Sequence, residues 1–220
     1  MDDMRVTNPP SNPELLDALA ADFVASGYDL KHLVRTLCTS RVYGLSSLPN
    51  ESNATDRQSF ARHYPRRLPA EVLLDAIALV TGTPTKFDGL PEATRAIDLP
   101  DESVGSSFLD TFGRPKRDSA CECERVADSS LGQSLLLLNS NEVQSKLAAG
   151  GGRAEALAKD PRPDADKVAE LFWTALGRAP TSSETAAALD YLGRHADGRP
   201  LAYQDILWAL INTREFQFNR

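Results

Sequence analysis

The chain has 220 residues, and its 24 Lys and Arg against 31 Asp and Glu leave a net charge of −7. A chain of this length buries a core without covalent staples. Its acidity argues against nucleic acid as the main partner, and its 25% charged residues argue against wholesale disorder. Three cysteines are too few for a disulfide framework. The longest leucine run, Leu135 to Leu138, is far short of a membrane span. The N-terminus has an acidic start and no apolar stretch, so it does not read as a signal peptide. The chain as written is expected in the cytoplasm.

In chain order, Asn12 is a helix cap and Pro13 a first helical residue, which predicts a helix over 13–26. Leu15, Leu16, Leu19, Phe23 and Val24 share one face. A second helix follows Asp29 with Leu30, Leu33, Val34, Leu37 and Cys38 on one side, Cys38 being read as core. The short Gly27-Tyr28 joint makes the pair a helical hairpin. Residues 44–68 read as an irregular connection. A helix then runs from Pro69 to Thr81, with Val72, Leu73, Ala76, Ile77 and Val80 inward and Gly82 as its stop.

Residues 83–128 contain four prolines and little helical period. Within them 94–99 reads as a short strand. Helices resume at Leu131, with Ser130 and Gln133 at capping-box spacing and a restart at Asn139 towards Leu147. Gly150 to Gly152 marks a break. Three helical patterns follow Pro161: Val168, Leu171, Phe172, Ala175 and Leu176; then a capping box from Thr181 to Glu184; then Ile206, Leu207, Leu210 and Ile211. The expected fold is mainly α, helical hairpins or a bundle with a long irregular middle and room for a short β element. The expected organisation is an N-terminal helical part (1–149), a linker (150–160) and a three-helix C-terminal part (161–220). Leu30 to Tyr43 and Tyr203 to Phe216 echo each other, each closing a helix with a hydroxyl residue, an arginine and an aromatic ring.

Two constellations invite chemistry. Cys121 and Cys123, with Glu122 and Glu124, lie between Arg117 and Arg125. In an extended segment both thiols point to one side and suit a soft metal, but a structural zinc site needs further ligands. The alternatives are small buried cysteines or disulfides to another chain. The second constellation is a basic run with Arg62, Tyr64, Arg66 and Arg67, which suits an anionic glycan through bidentate guanidinium contacts. Its plain alternative is a solvated connection paired with nearby acids. Arg114 and Arg117 are read instead as holding an anionic substrate beside Cys121 and Cys123. The histidines show no ligand spacing, and no nucleophile elbow or phosphate loop is present. No catalytic residue and no cofactor is assigned.

The segments Thr7–Asp17, Ser26–Lys31, Tyr64–Glu71, Phe112–Pro115, Cys121–Arg125 and Leu207–Phe216 together resemble a planctomycete-specific domain of unknown function. That domain closes large multidomain proteins, where it follows a second uncharacterised domain and often a cytochrome c-type domain. The resemblance implies docking against such upstream domains, and a cell-envelope location for full-length relatives. It also suggests that this chain starts inside the family pattern, leaving an apolar patch near the first hairpin and a tendency to self-associate. No Cys-x-x-Cys-His is present to attach haem. The part from Pro161 resembles a widespread bacterial helical module ending in Ser/Thr-x-x-Phe. The leading expectation is a non-catalytic packing or interaction module. The alternatives are a metal-binding, hydrolytic or redox domain at Cys121 and Cys123, and an anionic-glycan surface.

Overall fold

A computed structural model describes residues 7, 9–56, 59–92, 94–100, 103–116, 132–133, 137–138 and 140–219. The chain is mostly helical with one small two-stranded sheet, the mainly α class expected. It divides into two compact units, residues 1–66 and 67–219.

The first unit opens with α1 (Pro13–Ala25) and α2 (Leu30–Cys38). The Asn12 side chain accepts the Leu15 N–H at 3.0 Å, one of the donors a helix start leaves unpaired. Gly27 and Tyr28 both take positive φ at the joint, and the Tyr28 ring meets Phe23 edge-on at 5.5 Å. Asp29 then caps α2 through the N–H groups of Lys31 and His32. No residue of either helix is buried. Leu30 and Val34 are exposed, and so is Cys38, which was expected in a core. The stripe on α2 has the helical period, but no described group covers it. The following loop is folded by side chains: Asn50 Oδ1 accepts from the Ser52 and Asn53 backbone, and the Asn53 amide donates to the Ala61 carbonyl.

The second unit is built on α3 (Ala70–Thr81), where Leu73, Leu74, Ile77 and Val80 are fully buried. Val72, expected inward, faces out, and Leu74 takes its place. Gly82 ends the helix with φ +68°. Residues 96–98, expected as strand, form a 3₁₀ turn instead. The Asp75 carboxylate accepts the N–H groups of Ala96 and Ile97 at 2.7 and 3.1 Å, which occupies the donors a strand would need. Helix α4 (Ser107–Thr111) follows, with Phe108 and the adjoining Phe112 stacked at 4.5 Å.

Helix α5 (Asn141–Leu147) starts from Ser140. Residues 150–160, read above as a linker, contain helix α6 (Arg153–Lys159). A Cβ on Gly152 would stand 3.0 Å from the Ala149 carbonyl and 3.2 Å from the Thr81 carbonyl, so a larger residue would force these carbonyls to shift. The next residue, Arg153, donates to the Val80 carbonyl at 2.7 Å and satisfies the end of α3 from 73 positions away.

Helices α7 (Asp164–Leu176), α8 (Ser182–Arg194) and α9 (Arg199–Ile211) complete the bundle, and α9 packs on α6, α7 and α8. Thr181 and Glu184 form the expected capping box. The short α10 (Arg214–Gln217) is capped by Thr213, and Phe216 turns into the core. The echo noted in the sequence is therefore partial, since Tyr43 stays exposed. Strands β1 (Arg66–Arg67) and β2 (Phe218–Asn219) pair to form the sheet.

Candidate functional site

Cys121 and Cys123, with Arg117, lie outside the described residues. Among the described residues, no group of three or more His, Cys, Asp or Glu stands close enough to hold a metal ion. Apart from Arg66, the described members of the basic set donate inward. Arg62 stacks on Tyr64 at 4.8 Å and donates to the Ser47 carbonyl, and the Tyr64 hydroxyl donates to the Asp56 carbonyl. In the second unit Arg67 lies over the Phe112 ring and donates to the Phe112 carbonyl and to Gln133. Arg114 donates to Asp110 and to the Val104 carbonyl, and its side chain is only 7% exposed. Arg66 is exposed.

The C-terminal helices hold two charged clusters that the sequence did not reveal. In the first, Asp164 accepts from the Tyr203 hydroxyl at 2.9 Å, pairs with Lys167 at 3.0 Å and also binds Arg199. Lys167 is nearly fully buried and also donates to the Leu157 and Asp160 carbonyls, tying α6 to α7. Burial pushes the Asp164 carboxyl up, but the hydrogen bonds from Arg199, Lys167 and Tyr203 outweigh it and hold it down at about 2.

In the second cluster, Arg178 makes two-toothed contacts with both Glu184 and Glu215, at 2.7–2.9 Å. Its guanidinium also lies over the Phe172 ring at 5.6 Å. The Arg178 hydrogen bond, followed by the Thr181 N–H, lowers the Glu184 carboxyl to about 2. This cluster joins the start of α8 to α10.

Beside it runs a groove of about 620 Å³ between α7, α8 and α9. Phe172 and Leu176 come from α7, Ala187, Ala188 and Tyr191 from α8, and Asp205, Ile206, Trp208 and Ala209 from α9. The Arg178-bound Glu184 and Glu215 also line it. So does the pair in which the Tyr191 hydroxyl donates to Asp205 at 2.6 Å. The groove follows from the composition of α9. That helix is apolar nearly all round, so one contact face cannot cover it. Ala202, Tyr203, Leu207, Leu210 and Ile211 are buried, whereas Ile206, Trp208 and Ala209 turn to the groove. The Trp208 indole N–H is covered yet meets no acceptor among the described residues, a deficit costing on the order of 1–3 kcal/mol.

A family model for PSD1, a protein of unknown function (DUF1553), matches residues 1–192. The chain belongs to the PSD1 family. No curated protein and no solved structure matches it. The PSD1 match ends at Leu192, within α8. The α7 and α8 walls of the groove thus lie inside the matched span of this PSD1 chain, and the α9 wall, with Asp205, Ile206 and Trp208, lies beyond it.

Proposed function

We propose that this PSD1-family chain is a non-catalytic interaction module, and that the groove between α7, α8 and α9 is its docking face. The observation carrying this reading is an open apolar groove whose bordering Glu184 and Glu215 are gripped by Arg178. General acids and bases work with pKa values tuned towards neutrality. Here Glu184 is pulled the other way, and its arginine joins two helices. A groove of this size, apolar with a few polar groups, is a binding surface by its physical character. The resemblance noted in the sequence supports placing the module in a larger planctomycete envelope protein, beside cytochrome c-type and other uncharacterised domains.

The test uses the chain with Trp173→Phe, which leaves Trp208 as its sole tryptophan. Trp173 is exposed and lies outside the groove lining. The chain is titrated with basic amphipathic, acidic amphipathic and extended peptides while Trp208 fluorescence is followed. The expected result is a saturable shift with one class, abolished by Ala187→Phe at the groove wall. No saturable response to any class would overturn the reading.

A further inference from the structure

The same chain carries a helix suited to this groove. At 100° per residue, Leu30, Val34, Leu37 and Cys38 form one stripe on α2, with Lys31 and Arg35 along its edge. Leu30, Lys31, Val34, Arg35 and Cys38 together line a shallow depression of about 400 Å³. Leu30 is 68% and Val34 57% exposed. No carboxylate among the described residues pairs with Lys31 or Arg35, and α2 contains no acid.

The groove has the opposite character. Glu184 and Glu215 stand at its border, joined by Arg178. Asp205 adds a further carboxylate, of which Oδ2 takes the Tyr191 hydroxyl and Oδ1 meets no described donor. Ala187, Ala188 and Ala209 leave the walls low enough for a helix backbone to approach. The lengths agree as well: nine residues of α2 span about 13 Å, and Glu184 to Tyr191 spans about 10 Å.

From these matches we infer that the occupant of the groove is α2 of a second copy of this chain. This rests on the reading of the groove as a docking face. Leu30, Val34 and Leu37 recur at i, i+4 and i+7, the spacing with which a helix lays its apolar face into a groove. Lys31 and Arg35 meet the acidic border that holds Asp205. Because α2 and the groove are different surfaces, the contact is head-to-tail, and copies add on until a ring closes.

The experiment is a complementation between two full-length variants. Val34→Asp spoils the helix and leaves the groove; Ala187→Phe fills the groove and leaves the helix. Both positions are exposed, and circular dichroism checks that each variant keeps its helix content. Lys31→Glu serves as a second helix variant should Val34→Asp lose structure. In sedimentation velocity over a concentration series, the wild-type chain is expected to associate, less so at high salt. Each variant alone is expected to associate at least about tenfold more weakly, since a charge or a filled groove removes the apolar contact. Mixed, the two are expected to form a one-to-one pair that does not grow. Continued association of Ala187→Phe alone would mean hairpin-to-hairpin contact and overturn the inference, as would a wild-type chain that stays monomeric throughout. Either failure is separable from failure of the docking reading, because the Trp208 titration is repeated in the Val34→Asp variant, which keeps the groove but cannot fill it with its own α2.

Discussion

The wholly buried Tyr203 places its hydroxyl 2.9 Å from the Asp164 carboxylate, so one hydrogen bond joins the first turn of α7 to the first turns of α9. Arg199, one turn before Tyr203, binds the same carboxylate oxygen. Tyr203→Phe keeps the ring and removes the hydroxyl, which also accepts a long contact from Arg199 at 3.5 Å. The expected cost is about 1.5–3 kcal/mol, the range for a hydrogen bond to a charged group. Urea unfolding measures it, and an unchanged midpoint would show that the two cations satisfy Asp164 by themselves.

Acid should weaken the C-terminal helices in a defined window. Asp164 and Glu184 both sit at about 2 in the folded chain, below the ordinary range of about 4 for unfolded carboxyls. A depressed folded pKa stabilises fully above the unfolded value and loses that effect as pH falls through the folded one. Stability is therefore expected to decline between about pH 4.5 and 2. Thermal midpoints across that range test this, and Asp164→Asn should flatten the part of the decline that Asp164 causes.

Lys146 is buried, and among the described residues its amine donates to one acceptor, the Thr83 carbonyl at 3.2 Å. Burial pushes its amine down, while burial pushes the neighbouring Glu142 carboxyl up. A buried cation with so little compensation stabilises poorly. Lys146→Met should leave stability unchanged or raise it by up to about 1 kcal/mol. A loss of more than about 2 kcal/mol in chemical denaturation would show that its single hydrogen bond dominates.

Two glycine substitutions should move in opposite directions. At Gly152 a new Cβ meets two carbonyl oxygens and the Thr83 hydroxyl at 3.0–3.2 Å, so Gly152→Ala should cost about 1–3 kcal/mol. Gly193 lies in α8 with open space around it. Gly193→Ala should stabilise by about 0.5–1 kcal/mol through helix propensity. Equal effects of the two in a melting assay would refute the steric account of Gly152.

Arg178→Lys keeps the charge but loses the fork that grips two carboxylates. Because Arg178 is one-third exposed, the expected cost is only about 1 kcal/mol. The sharper readout is hydrogen exchange. The Phe216 N–H, bonded to Thr213 Oγ1, and the Leu68 N–H, bonded to the Gln217 carbonyl, should exchange faster in the variant. Protection equal to wild type would mean that Arg178 does not anchor α10.

Local signals were readable in the sequence wherever neighbouring residues determine the structure. Asn12, Asp29, Thr181 and Gly82 announced their helix ends, because caps act within a turn. The 3₁₀ turn at 96–98 was not readable, since its cause is Asp75, some twenty positions earlier. Helix α6 was masked by three glycines, and the crowding at Gly152 comes from Ala149 nearby and from Thr81 and Thr83 across the core. The groove was half legible. Thr181 and Glu184 were seen as a cap, but Glu184 also binds Arg178, and nothing local ties Arg178 to Glu215. The groove-facing Ala187, Ala188 and Ala209 carry no strong periodic signal, because a groove is made by side chains too small to fill it.

The way Arg153 closes the end of α3 has a consequence during synthesis. When Thr81 leaves the ribosome, the carbonyls of that final turn wait some 70 residues for their guanidinium, and the apolar flank waits about 130 residues for α9. At typical elongation rates the second delay is roughly 7–26 s. Over that interval the nascent chain presents a strongly apolar helix unprotected, and chaperone occupancy should rise there.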